Sequence, residues 1–301
     1  MKKLLTLELS LLMVFGLTGC GADAEPKDAL ERIKEQGYIV LGTSPDYAPS
    51  EFYIKDPETG DKKIVGSDIA LAQAIADKIG VELQILESDF NTVILNAQAG
   101  TVDMGISGFA WKQDRAEVVD FSIDYSRVSG DESWQGFMIR KEDIAKYPTK
   151  EAFKAAGGTV GAQAASIQVN MAYLVADKEN IVELLSTTDC AAQLNSGDLD
   201  GFVCTSDQAK QLMITYPDIV LLPEETFDMD PNDEFNKTGV IFSKDESYDT
   251  LEALINEVIE EAKAIDPETG KSMLDVWYEE AVALQPLDLT DQIDWDTIYN
   301  Q

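Results

Sequence analysis

The chain has 301 residues, of which 45% are hydrophobic, and 56 acidic against 23 basic side chains leave a net charge of −33. That length suits two domains of ~100–200 residues, each with a core, and the charge argues against a nucleic-acid partner, which needs clustered Lys and Arg. The chain contains no histidine, which excludes Ser-His-Asp triads, Cys-His pairs and His-based metal centres.

The N-terminus reads MKKLLTLELSLLMVFGLTGC. Lys2 and Lys3 form a basic start, and the apolar run from Leu9 to Leu17 is shorter than the ~20 residues of a membrane-spanning helix. This is the pattern of a secretion signal. Leu17-Thr18-Gly19-Cys20 matches the bacterial lipobox, whose cysteine becomes the lipidated first residue. The expectation is a signal peptide over 1–19, a linker over 20–29, and an exported protein tethered through Cys20. Two acyl chains anchor stably where one does not.

Order is expected from YIVLGTS (38–44), a strand. VGSDIALAQAIADKIG (65–80) has a polar start, apolar residues at Ile69, Ala72, Ile75 and Ile79, and a glycine stop, the signature of a capped amphipathic helix. VELQILES then reads as a strand, DFNTVILNAQAG as a helix, TVDMGIS as a strand, KQDRAEV as a short helix and VVDFS as a strand. A second alternation follows: GFMIR, TKEAFKAA, TVGAQA, SIQVNMAYLVADK, IVELLS, CAAQLNSG, LDGFVCT, SDQAKQLMITY and DIVLLPE. DMDPNDEFN (228–236) reads as an irregular connection, and LEALINEVIEEAKA (251–264) as a final amphipathic helix. Short strands alternating with helices predict βαβ units and an α/β fold with mainly parallel sheets.

Chemistry-bearing motifs are few. DMDPNDE lacks the glycine and terminal glutamate of a calcium loop, and neither a phosphate-binding loop nor a dinucleotide fingerprint is present. No metal or cofactor is expected. Cys190 and Cys204 fit an extracytoplasmic disulfide and two buried thiols equally well. Arg115 is the residue of interest. It follows the strand end Ser107-Gly108, where small residues let a ligand approach the backbone, at the edge where ligands collect in open α/β sheets. A guanidinium there matches a carboxylate bidentately; an ordinary solvated helix arginine fits the same spacing.

With these segments in view, the chain resembles the family 3 extracellular solute-binding proteins, amino-acid receptors of bacterial ABC importers. The matching segments are the lipobox, YAPSEF (47–52), GSDIALAQAIADKIG (66–80), DFNTVILNAQAGTVDMGISG (89–108), DRAEVVDFSIDY (114–125), VGAQAASIQ (160–168) and LNSGDLDGFV (194–203). The resemblance implies the type II periplasmic binding protein fold, with lobe one over 30–129 and 237–301, lobe two over 130–236, and a two-crossing hinge. It implies that Arg115 clamps a ligand α-carboxylate with the Ala110 amide and Ser166, and that Ser107 and the Gly108 carbonyl meet the ammonium. Tyr47 and Phe90 would sandwich the ligand side chain, and Gln163 would read it from lobe two. The acid that pairs with the ammonium in the family falls at Thr205, which leaves either Asp207, two residues on, as its substitute or a site that has given up ammonium recognition in favour of a desamino carboxylate. Tyr47 and Phe90, with the apolar replacements Ala110 and Ile167, favour a ligand with an apolar or aromatic body.

The resemblance implies a monomeric binding protein that performs no chemistry and serves an ABC permease. The rival reading is a dehydratase of cyclic carboxylates on the same scaffold, with Glu51 or Asp207 as general acid. The lipobox reading is tested separately: Cys20→Ser is expected to move the protein from membranes to the soluble extracytoplasmic fraction. A mutant that still sediments with membranes after a salt wash contradicts it.

Overall fold

The computed structural model describes residues 27–56, 58–128, 133–230, 235 and 237–285. The signal segment and Cys20 lie outside the described residues, as does most of DMDPNDEFN. The first stretch comprises α1 (Ala29–Gln36), β1 (Tyr38–Thr43), β2 (Phe52–Lys55), β3 (Lys62–Val65), α2 (Ser67–Ile79), β4 (Glu82–Glu87), α3 (Phe90–Gln98), β5 (Met104–Gly105), α4 (Gln113–Ala116) and β6 (Asp120–Phe121). The second comprises β7 (Gln135–Arg140), α5 (Lys150–Ala155), β8 (Val160–Gln163), α6 (Gln168–Ala172), β9 (Ile181–Leu184), α7 (Thr187–Ser196), β10 (Gly201–Thr205), α8 (Ser206–Thr215), β11 (Ile219–Leu221) and α9 (Glu224–Phe227). The chain then returns through β12 (Ile241–Phe242), α10 (Asp249–Lys263) and α11 (Met273–Ala283).

Two five-stranded sheets result, ordered β4-β1-β5-β12-β6 and β11-β7-β10-β8-β9. The predicted βαβ units give the parallel pairs β1–β4, β1–β5, β8–β10 and β8–β9. Both sheets are nonetheless mixed. The returning strand β12 runs antiparallel to β5 and β6, and β7 runs antiparallel to β10 and β11. These strands arrive by crossing between sheets rather than through a helical crossover, so nothing constrains them to be parallel. Sequence periodicity also missed the β2–β3 hairpin and α11. Four-residue strands and a helix with mixed faces carry little periodic signal. SIQVNMAYLVADK, expected as one long helix, forms only the short α6 before breaking into turns.

Each sheet has its own core. Ile39, Leu41, Leu71, Ile75, Phe242 and Ile255 pack around the first. Phe137, Phe153, Phe202 and Phe227 pack around the second, with Phe137 edge-on to Phe153 and stacked on Phe227. Between the sheets, the outgoing and returning chains run side by side. The Tyr125 amide donates to the Thr238 carbonyl at 2.9 Å, and the Val240 amide donates to the Ser122 hydroxyl at 2.9 Å. Two paired crossings of this kind form a compact hinge that permits one body to swing on the other. Cys190 and Cys204 are free and buried, and burial pushes the Cys190 thiol up to about 12.

Candidate ligand-binding cleft between the two sheets

The loop after β1, the loop after β5 and the segment after β8 converge on a recess of about 530 Å³. Eight of the ten residues singled out from the sequence line it: Tyr47, Phe90, Ser107, Gly108, Ala110, Arg115, Gln163 and Ser166. Gln163 and Ser166 belong to the second sheet's body and the other six to the first, so the recess is an interface.

Arg115 lies on the short helix α4 and is only 3% exposed. Its Nη1 donates to the Ala110 carbonyl at 2.5 Å, and its Nη2 crosses to the Ala165 carbonyl at 2.9 Å. Nε has no partner. Phe90 and Phe109 flank the group, each ring centroid 5.4 Å from Cζ. Burial pulls the guanidinium down to about 10, and the neighbouring Asp114 offsets this only in part. It stays charged at neutral pH, and among the described residues it forms no ion pair with a carboxylate. A buried cation held by neutral carbonyls is costly and is stabilised by an incoming anion. Ala165 is the one described non-glycine residue with a left-handed φ, 64°. Strain of this kind is characteristic of ligand-contacting backbone.

Gly108 has a φ of 57°, and a Cβ there would meet the Tyr47 ring at 3.2 Å. Glycine therefore serves both the backbone conformation and the close approach of the aromatic. The Ser107 hydroxyl donates to Glu51 Oε1 at 2.5 Å and accepts from the Ser44 amide at 3.2 Å. The Ser166 hydroxyl donates to the Gln163 carbonyl at 2.7 Å, which tightens the turn that presents Ala165.

Thr205 and Asp207 are placed elsewhere. They line a neighbouring cavity of about 760 Å³ that shares Tyr47, Gly108 and Thr238 with the recess. Thr205 caps α8, accepting from the Gln208 amide, and lines that cavity together with Tyr47. Asp207 Oδ2 accepts from the Tyr278 hydroxyl of α11 at 2.6 Å and lies 3.9 Å from Arg127 Nη2. Arg127 in turn stacks 3.6 Å over the Tyr278 ring. Asp207 thus joins the two bodies instead of facing the recess.

The residues that spacing did not single out as ligand contacts are Asp46 and Glu51, both lining the recess. Asp46 Oδ2 accepts from the Thr187 amide at 2.8 Å and from Gln163 Nε2 at 3.2 Å, and its carbonyl accepts from the Thr187 hydroxyl at 2.8 Å. Gln208 Nε2 donates to the same carbonyl at 3.4 Å, so one first-body loop residue grips four donors of the second body. Burial pushes its carboxyl up, and those hydrogen bonds counter it. Glu51, fully buried, has a carboxyl raised well above the ordinary range by burial and by the neighbouring Asp68. Asp46 directly precedes the resemblance-bearing Tyr47, and Glu51 lies inside the same YAPSEF segment, where the sequence offered it only as the general acid of the rival reading.

The family model of the bacterial extracellular solute-binding proteins, family 3, matches residues 39–270. The arginine-binding extracellular protein ArtP of Bacillus subtilis is 33% identical over 168 residues, 56% of this chain and 58% of that protein. A probable histidine-binding protein of Campylobacter jejuni is 26% identical over 266 residues, 87% of this chain and 94% of that protein. Among solved structures, the Streptococcus pneumoniae amino acid ABC transporter substrate-binding protein AbpA bound to L-arginine superposes with a TM-score of 0.69 at 30% identity. The superposition covers 84% of this chain and 98% of that one.

Arg115→Ala is expected to weaken binding of carboxylate ligands about 10²–10³-fold, because one partner of a buried charge pair is worth ~3–5 kcal/mol. Unliganded melting should hold or rise, since a poorly compensated buried charge is removed. Wild-type affinity in isothermal titration of the mutant would rule out the clamp.

Proposed function

Because the chain belongs to the bacterial extracellular solute-binding proteins, family 3, we propose that it captures an amino acid outside the cell and delivers it to an ABC import permease, performing no chemistry itself. The observation that carries this reading is Arg115, a buried guanidinium without a carboxylate partner in a recess shared by both bodies. A ligand carboxylate supplies that anion and takes the fork now spent on the Ala110 and Ala165 carbonyls. Contacts from both bodies favour the closed arrangement only when the ligand is bound, and that differential affinity drives closure.

The ligand side chain is proposed to be cationic, with arginine or lysine as the leading candidates. Tyr47 and Phe90 supply aromatic walls, while Asp46 and Glu51 bring carboxyls to the same recess. This replaces the apolar-bodied ligand that Ala110 and Ile167 favoured in the sequence. ArtP and AbpA, whose names or bound ligand specify arginine, support the same choice. Asp207, tied to Tyr278 and Arg127, takes the part of an interbody latch in this reading, and the ammonium is left to Ser107 and the Gly108 carbonyl. We further propose export and anchoring through Cys20; no described helix is long and apolar enough to cross a membrane.

A thermal-shift screen of the purified protein against the twenty amino acids tests the proposal. Arginine or lysine should raise melting in a concentration-dependent way, by mass action on the native state. A response confined to aliphatic or aromatic amino acids would overturn the cationic assignment, and no response to any amino acid would overturn the transport reading.

A further inference from the structure

The wall between the recess, which Glu51 lines, and the neighbouring cavity, which Asp68 lines, holds more acid than its partners can keep ionised. Glu51 is 0% and Asp68 4% exposed. Asp68, in the first turn of α2, accepts from the Gly108 amide at 3.0 Å and the Tyr125 hydroxyl at 2.9 Å through Oδ2. Burial pushes that carboxyl up, and two donors and the positive end of a helix counter it by favouring the charged form. Glu51 is less well served. Its Oε1 takes only the Ser107 hydroxyl, and its Oε2 meets no donor at all.

Asp68 sits beside Glu51: its amide donates to the Ser50 carbonyl at 3.0 Å, and the Gly108 amide that it accepts from follows directly on the Ser107 that binds Glu51. A dry site poor in donors and next to another carboxyl favours the protonated form of a carboxylic acid. The other ionisable groups around the pair are Asp46 and Tyr47 on the same loop, Tyr125 beside Asp68, and Arg127 and Asp207 across the neighbouring cavity that Asp68 lines. Arg127, the cation among these, lies 3.9 Å from Asp207 Oδ2 and stacks over the Tyr278 ring. Arg115 lines the recess too, but its guanidinium is engaged by the Ala110 and Ala165 carbonyls. Like charges this close in a dry site cannot both ionise. The proton rests on Glu51, the member with fewer donors, and burial together with Asp68 raises its carboxyl in agreement.

We infer that the Glu51–Asp68 pair holds one proton in the empty protein and gives it up when the cationic group of a ligand enters beside Glu51, so that capture is an exchange of ligand cation for proton. The inference rests on the proposed amino-acid ligand. The balance is simple: neutral Glu51 loses its proton to solvent, the carboxylate left behind pairs with the incoming ammonium or guanidinium, and the net charge of the recess is unchanged. The exchange itself buries no additional uncompensated charge. A ligand of the right shape without a cation gains nothing from the exchange. Linkage then fixes the pH dependence. Glu51 titrates at higher pH in the free protein than in the complex. Between those two values affinity rises about tenfold per pH unit, and above the free-protein value it levels off.

Isothermal titration of the full chain with arginine, lysine and glutamine at pH 5.5–8, each in two buffers of different ionisation enthalpy, counts the protons directly. Release approaching one proton per ligand is expected within that range, with affinity climbing over the same pH interval. Release with arginine and lysine alone assigns the exchange to the side-chain cation, and release with glutamine as well assigns it to the α-ammonium; both support the inference. Glu51→Gln keeps a neutral hydrogen-bonding group of the same shape, so it should fold, lose proton release and bind arginine with an affinity independent of pH. Ligand binding with identical enthalpies in both buffers throughout that range overturns the inference and leaves the transport reading standing. If no amino acid binds, both fall.

Discussion

The guanidinium of Arg115 sets the terms for the cleft. It is nearly fully buried, it touches two carbonyls and two aromatic rings, and one of its nitrogens has no partner. A protein seldom keeps a charge in that condition for stability alone, because an apolar residue of similar size would serve better. Its surroundings follow from the charge. The strand β5 ends in small residues that leave the approach open, α4 fixes the side chain, and the strained turn at Ala165 brings a second-body carbonyl to meet it.

The two bodies are held by reciprocal acids. Asp46 reaches from the first body to Thr187 and Gln163 of the second. Asp207 reaches back from the second body to Tyr278 and Arg127 of the first. Each carboxylate bonds polar groups across the boundary, and bonds to a charged group contribute about 1.5–3 kcal/mol each. Tyr278 lies on α11, beyond the matched residues 39–270. One half of the latch therefore comes from chain that the shared pattern does not include.

Much of this was legible in the sequence because it depends on local chemistry. Gly80 stops α2 in a left-handed turn, Asp89 caps α3 through the Thr92 amide, and alternating short strands and helices gave the α/β class. Arg115, Ser107 and Gly108 stood out as a cation behind a small-residue strand end. What stayed hidden depends on residues far apart in sequence. Nothing local says that Asp46 will meet Thr187, 141 positions on, or that Asp207 will meet Tyr278, 71 positions on. Glu51 stood out in the sequence only as a general acid for the rival reading, and its own surroundings became visible only with Asp68 and Ser107 beside it. The proposed cationic ligand departs from the sequence expectation for the same reason. Ala110 and Ile167 are visible as apolar replacements, whereas the acids that balance them enter from a loop.

If Arg115 exists to receive a carboxylate, then a ligand stripped of that group should lose most of its affinity while keeping its shape and side-chain charge. Titrating the protein with arginine and with agmatine, its decarboxylated counterpart, isolates the contribution. The account predicts that agmatine binds at least 10²-fold more weakly than arginine, the scale of a lost buried charge pair. Equal affinity for the two would contradict it.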